Sequence, residues 1–356
     1  MGWVQRLSVG AGAVRRLLAP RCRFKPRVPG LHFRPRAAVV PRIAAFENRR
    51  EVRPIPLKPL ESIGAERAVA RNHETRLTRI RIRDGKLYHS ERPDTVAVEE
   101  PLDIRLNGQQ LSMTMRTPGH DVELIHGFLH AEGYITSRED VREARYCDGA
   151  VVEDDSGLER NTYNVMDFTT RTITAAPVIT KPFLTSSACG VCGSASIDQV
   201  TKRVRHDFVP TFAMQPSHLL RAQRELGDGQ AAFSKTGGVH AAALLTPEGE
   251  RLVLREDVGR HNAVDKVIGW ALLEDRLPLR DTVLLVSSRA SFEIVQKAAM
   301  AGIGFIACVS APSSLAIDTA ARLGITLCGF VRADGDDGRF NVYCGMERID
   351  LSGSES

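Results

Sequence analysis

A chain of 356 residues with 43% hydrophobic and 26% charged residues has the composition of a globular protein that can bury one large core or two modest ones. Its net charge of +5 is unevenly spread: residues 1–50 hold twelve Lys/Arg against one acid, Glu47, which leaves 36 basic against 42 acidic residues in the remainder. The body is therefore mildly acidic, so a pI near 8.9 is no argument for nucleic-acid binding, and no apolar run approaches the ~18 residues that would span a membrane.

The basic arm, taken as residues 1–74, reads as a disordered extension, or as chain that precedes the true start. Arg15 and Arg16 interrupt the apolar run of a secretory signal. For a twin-arginine signal, Leu17-Leu18-Ala19-Pro20 is too short before Arg21 and Arg23. Arg-rich, acid-poor composition also resembles an organelle transit peptide.

Regular structure is expected from about Glu74, with a strand at 78–83 and a hairpin over 96–116. In the hairpin Leu102, Ile104 and Leu106 alternate, Asn107-Gly108 supplies the turn, and Leu111, Met113 and Met115 alternate back. A helix is predicted at 121–132, with Val122, Ile125, Phe128 and Leu129 on one face and Gly133 as its stop. Strands near 144–152, 162–167 and 170–174 complete a β-rich subdomain, 75–185.

The domain 186–350 alternates strands with helices: paired strands at 239–245 and 251–256, then helix 261–273, strand 282–287, helix 291–301, strand 304–310, helix 314–323 and strands 325–331 and 340–343, the last two joined by an acidic turn at 333–338. That grammar implies an α/β fold with parallel pairing and helices on both faces of the sheet. The run Phe233-Ser234-Lys235-Thr236-Gly237-Gly238 lacks the glycine spacing of a phosphate loop.

Chemistry concentrates in two places. Thr185-Ser186-Ser187-Ala188-Cys189-Gly190-Val191-Cys192-Gly193 sets two thiols on a glycine-bordered loop ahead of a helical pattern, Ile197, Val200 and Val204. A helix start favours a thiolate, so Cys189 and Cys192 are candidate sulfur nucleophiles. Of the other five cysteines, Cys308 and Cys328 fall in strands and are expected to be inert core thiols, Cys22 belongs to the arm, and Cys147 and Cys344 are isolated. One close pair in so long a chain favours a reducing compartment, the cytoplasm.

The second place is the set of strand ends: Glu256-Asp257-Val258-Gly259-Arg260-His261-Asn262, Ser287-Ser288-Arg289-Ala290-Ser291 and Ser310-Ala311-Pro312-Ser313-Ser314. Ligands of such sheets bind outside the carboxyl ends of the strands. Arg260, Arg289, His261 and the hydroxyls, Ser288 among them, beside free N–H groups suit a phosphate or pyrophosphate, whereas a purely structural reading makes the serines helix caps.

For the Cys-x-x-Cys pair, three chemistries compete. A structural zinc site needs two further ligands, and no second close pair exists. Thiol–disulfide exchange would leave the phosphate-type loops without a purpose. A zinc-dependent deaminase-like hydrolase would use His130-Ala131-Glu132 with Cys189 and Cys192, but Ala188 stands where proline belongs and His130 falls at a helix end, where it reads as a surface residue. A persulfide carrier, whose thiolate meets first a donor and then an acceptor, fits the loop better.

The cysteine loop, the block Arg255-Glu256-Asp257-Val258-Gly259-Arg260-His261-Asn262-Ala263-Val264-Asp265-Lys266 and the block Ser287-Ser288-Arg289-Ala290-Ser291-Phe292-Glu293 resemble the signatures of the formate dehydrogenase accessory sulfurtransferases (FdhD). Glu99-Glu100-Pro101-Leu102 and Phe128-Leu129-His130-Ala131-Glu132-Gly133 are similar too, and the resemblance runs from about 78 to 350. It implies a cytidine-deaminase-like mixed sheet flanked by helices, with a smaller β-rich N-terminal subdomain. It implies a sulfurtransferase that takes sulfur from a cysteine desulfurase as a persulfide on Cys189 and passes it to the bis(molybdopterin guanine dinucleotide) molybdenum cofactor needed by formate dehydrogenase. Phe330, Val331, Arg332, Ala333, Asp334 and Gly335 match the family's cofactor-contact segment, and the family's members form homodimers. No directly bound metal, nucleic-acid partner or membrane is implied.

Overall fold

The computed structural model describes residues 71–147, 151–153, 159–161, 164–171, 203–204, 206–335 and 337–352, all within one unit of the chain. Two turns with left-handed backbone set the first four strands. Asp84-Gly85 (φ 50° and 71°) joins β1 (Asn72–Arg83) to β2 (Lys86–Ala97), and Asn107-Gly108 (φ 53° and 80°) joins β3 (Glu100–Leu106) to β4 (Gln109–Arg116). The second hairpin is the expected one. The first extends the predicted strand at its amino-terminal end, from residue 78 back to Asn72, and adds a partner that alternation alone did not reveal.

β3 and β4 join β5 (Val141–Tyr146) and β8 (Val165–Thr170) in a four-stranded sheet of order β4-β3-β8-β5, while β6 (Val151–Glu153) pairs with β7 (Glu159–Asn161). Helix α1 (Asp121–Ala131) lies on the four-stranded sheet, its Leu124, Ile125 and Leu129 packed with Leu102, Ile104, Met166 and Phe168.

The later part of the chain forms a six-stranded mixed sheet of order β10-β9-β11-β12-β13-β14. Its strands are β9 (His240–Leu245), β10 (Arg251–Asp257), β11 (Val283–Val286), β12 (Phe305–Cys308), β13 (Thr326–Asp334) and β14 (Asp337–Cys344). Only β11, β12 and β13 pair in parallel; β9, β10 and β14 pair antiparallel, so the sheet is less uniformly parallel than the alternation suggests. The acidic turn expected at 333–338 narrows to the link between Asp334 and Asp337, which pair across the hairpin.

Helices cover both faces. One is covered by α4 (Arg260–Leu273), α5 (Phe292–Met300) and α6 (Ser314–Leu323), with Val264, Val267, Ile294 and Ala316 packed against Leu244, Leu284, Ile306 and Leu327. The other is covered by α2 (Pro216–Gly229), through Leu219, Ala222 and Leu226. Sequence reading found neither α2 nor the short α3 (Ala231–Thr236), which occupies the phosphate-loop lookalike and ends on left-handed Gly237. Glu256 caps α3, accepting from the N–H groups of Ala232 and Phe233 at 2.9 Å each, so that helix start is already filled.

The two parts of the fold meet helix to helix. A Cβ on Gly127 would lie 1.9 Å from the Asp265 carbonyl oxygen, and one on Gly269 would lie 1.8 Å from that of Glu123. Only glycine lets α1 and α4 approach so closely.

Candidate functional site

β9 runs antiparallel to both β10 and β11, so the ends of β10, β11 and β12 share one edge with the start of β9. Backbone hydrogen bonds join the loops there: Val309 N–H to Val286 O (3.0 Å), Ser313 N–H to Ala290 O (3.0 Å) and Phe330 N–H to Ser310 O (3.1 Å). The three strand-end loops expected to act together therefore do lie together.

The first loop faces two ways. Asp257 is fully buried and pairs with Lys266 at 2.7 Å; it also accepts from the Thr117 N–H (3.2 Å), the Gly259 N–H (2.8 Å) and Asn262 Nδ2 (3.0 Å). Lys266 donates to the carbonyls of Thr117 (3.0 Å) and Glu256 (3.3 Å), and Thr117 Oγ1 accepts from the Val258 N–H (3.1 Å). Asn262 Nδ2 also reaches the Met115 carbonyl at 2.7 Å. Half of this block thus fixes the loop to the end of β4, a structural role that linear spacing could not distinguish from ligand contact. Satisfied on every side, the buried pair is held where an unpaired charge would cost several kcal/mol.

Arg260, His261 and Arg289 line the open side. Among the described residues Arg260 and Arg289 make no ion pair, and the buried Nε of Arg260 has no hydrogen-bond partner. His240, at the start of β9, is held below the usual histidine range first by burial and then by the nearby Arg260 and, more weakly, Arg289. Burial likewise pushes His261 down to about 4, although Glu293 pulls the other way. His261 is occupied internally: Nε2 lies 3.0 Å from Ser291 Oγ and Nδ1 lies 3.4 Å from Glu293. Both histidines are neutral at pH 7, and the edge's positive charge rests on the arginines.

The serines divide along the structural reading. Ser313 Oγ caps α6, accepting from the Ala316 N–H at 3.3 Å; Ser287 Oγ accepts from the Ala241 N–H at 2.8 Å; Ser288 is buried, its hydroxyl donating to the Arg289 carbonyl at 3.1 Å. Ser291, at the start of α5, makes no side-chain cap and turns to His261 instead.

The segment 330–335 alternates across β13. Phe330 has left-handed backbone (φ 55°) at a register shift and is exposed, an unusual conformation for a bulky residue. Arg332 is exposed and donates to the carbonyls of Val331 (2.9 Å) and Val309, which sets it beside the third loop. Val331 is fully buried in the core under α2, so its side chain is withheld from any ligand. Ala333, Asp334 and Gly335 run away from the edge over α2, where Gln223 accepts from the Ala333 N–H (2.8 Å) and Arg224 donates to the Gly335 carbonyl. Strand-end Phe330 and Arg332 thus join Arg260 and Arg289, whereas the last three residues lie farther along the hairpin.

Cys189 and Cys192 lie outside the described residues. Cys308 and Cys328 are buried in their strands as expected, and burial raises both thiols, Cys308 to about 11. His130 is not the surface residue that its place at a helix end suggested: it is buried, its Nε2 hydrogen-bonded to the Met300 carbonyl at 3.1 Å, and burial lowers its pKa.

A family model described as the FdhD/NarQ family matches residues 97–350. The chain is 51% identical over 267 residues to the sulfur carrier protein FdhD of Corynebacterium efficiens, covering 73% of this chain and 92% of that one. It is 51% identical over 276 residues to the protein of that name from Streptomyces avermitilis, covering 76% and 94%. Among solved structures, a formate dehydrogenase accessory protein from Desulfotalea psychrophila superposes with a TM-score of 0.56 at 26% identity, covering 78% of this chain and 99% of that one.

Proposed function

Because the chain belongs to the FdhD/NarQ family, we propose that it is a sulfur carrier serving formate dehydrogenase. Sulfur arrives from a cysteine desulfurase: the Cys189 thiolate attacks the terminal sulfur of the donor persulfide, the donor's S–S bond breaks, and its cysteine leaves as a thiolate. Cys192 then assists release toward the acceptor. The acceptor substrate is the bis(molybdopterin guanine dinucleotide) form of the molybdenum cofactor, whose pyrophosphates lie along the strand-end edge. Arg260 and Arg289 meet the phosphate oxygens, Arg332 adds a third cation, and Phe330 offers a ring on which a base can stack. The carrier works as a homodimer in the cytoplasm; among the described residues no helix is long and apolar enough to cross a membrane.

The observation that carries this reading is the pair of arginines that make no ion pair among the described residues, one with a buried Nε that finds no hydrogen-bond partner there. A buried donor left unpaired costs about 1–3 kcal/mol, a cost that an arriving phosphate oxygen removes. Replacing Arg260 or Arg289 with Ala should weaken guanine-nucleotide binding, measured by titration calorimetry, by about 1–3 kcal/mol. Cys189→Ala should abolish both the sulfur adduct seen by mass spectrometry after desulfurase treatment and the activation of formate dehydrogenase, whereas Cys192→Ala should impair transfer more than loading. Stoichiometric zinc with no sulfur adduct would favour deaminase-like chemistry instead.

A further inference from the structure

β1 and β2 pair with each other and with no other described strand. Two strands alone are marginally stable in water, and this pair is twelve residues long on each side. Its base is anchored where the candidate site opens. Arg71 lies against Gly119, two residues from Thr117, and Ala97 packs on Gly238, two residues before His240. The arm therefore leaves the body between the segment that fixes the Arg260 loop and the strand that begins the ligand edge.

The outer half of the arm has two unlike faces. Cross-strand pairing sets Ile80 opposite His89 and Ile82 opposite Leu87, and these three aliphatic side chains are 64%, 72% and 67% exposed. On the reverse face Arg79 stands opposite Ser90, Arg81 opposite Tyr88 and Arg83 opposite Lys86. Like charges directly opposite each other destabilise a hairpin, and no ion pair among the described residues relieves Arg79, Arg81, Arg83 or Lys86. The arm carries six Lys/Arg against four Asp/Glu, although residues 98–356 hold 26 against 35. A basic row, half-buried at Arg79 and exposed at Arg81 and Arg83, backed by an exposed apolar row and bordered by two edges that pair with no other described strand, is a surface shaped for another protein.

We propose that the β1–β2 hairpin is the docking arm for an acidic protein partner that exchanges cargo at the neighbouring strand-end site, and that this partner is the enzyme receiving the sulfurated cofactor. The assignment rests on the sulfur-carrier reading. Acidic groups of the partner neutralise the Arg/Lys row while an apolar strip or strand edge covers Ile80, Ile82 and Leu87. The anchored base then holds the partner at the mouth of the anion site.

The test uses the full chain and purified cofactor-free formate dehydrogenase, with affinity read by biolayer interferometry and oligomeric state by light scattering. Arg81→Glu with Arg83→Glu, and separately Ile80→Ser with Ile82→Ser and Leu87→Ser, should each raise Kd at least about tenfold. Wild-type affinity should fall as salt rises from about 50 to about 300 mM. Inorganic pyrophosphate should bind all three proteins within about twofold, which shows that the body and its anion site are intact. Enzyme binding unchanged in both variants would overturn the assignment, as would loss of pyrophosphate binding along with it. A wild-type dimer that the variants split, with enzyme affinity unaltered, would give the arm to a second copy and equally overturn it. If the wild type binds pyrophosphate but not the enzyme, the sulfur-carrier reading fails and the docking arm with it.

Discussion

The central strands of the six-stranded sheet and the amino-terminal hairpin both carry large aliphatic side chains, yet they treat them in opposite ways. Val283–Val286 and Phe305–Cys308 are apolar without interruption and buried at every position, because helices cover both faces of the sheet. Residues 79–83 alternate arginine with isoleucine, the pattern of a strand with one covered face, and none of the described residues covers it. Continuous apolarity reports burial within the chain. Alternation reports a face that needs cover, and the proposed partner would supply it.

The sharpest way to break this contrast is to attack the core. Phe305 is fully buried and stacked on Phe212, with ring centroids 6.3 Å apart, so Phe305→Ala should cost about 3–5 kcal/mol in a urea melt. A loss under about 1 kcal/mol would mean that the sheet's second face is far looser than its packing implies.

A smaller effect comes from acid. His126 is wholly buried against Phe168, and burial lowers its pKa from 6.5 to about 4 despite its hydrogen bond to the Val122 carbonyl. The folded-state value lies below the unfolded one, so the unfolded chain binds the extra proton between the two. Stability should therefore fall by about 3 kcal/mol as pH drops from about 6.5 to about 4. His126→Leu should flatten that part of the profile, and an unchanged slope would assign the acid sensitivity to other groups.

Thr117→Val removes only the hydroxyl that accepts from the Val258 N–H. It should leave the melting temperature within a few degrees and weaken pyrophosphate binding about three- to tenfold, with Thr117→Ser restoring it. The smallest effect belongs to the arm: Ile82→Ser should change stability by less than about 0.5 kcal/mol, since Ile82 is 72% exposed.

Most of the α/β alternation was readable because each strand is an apolar run bounded by turn residues, and each helix there carries a recognisable stripe. The misses have particular causes. Asp84-Gly85 is as clear a turn signal as Asn107-Gly108, but the strand after it holds Glu91, Arg92, Pro93 and Asp94, which lower strand propensity until pairing supplies the reason to extend. Helix α2 buries only Leu219, Ala222 and Leu226 on an otherwise polar surface and carries two glycines, so its period is faint. In the site, residue type identified Arg260 and Arg289, but the division of the 255–266 block into inward and outward residues depends on Thr117, more than a hundred residues away. Nor does the left-handed backbone at Phe330 leave a mark in composition; it follows from the register shift in β13.

The glycine contact between α1 and α4 bears on how the molecule can move. Two helices whose backbones touch at Gly127 and Gly269 have no side chain between them at those points, and the Arg255–Glu123 and Lys266–Thr117 bonds tie both flanks of that seam. Hinge or shear motion needs a deformable interface, and this one is welded. The four-stranded sheet and the six-stranded sheet should then melt together in one calorimetric transition. Any opening or closing of the strand-end edge belongs to the segments along its rim, with the two sheets acting as a fixed frame behind them.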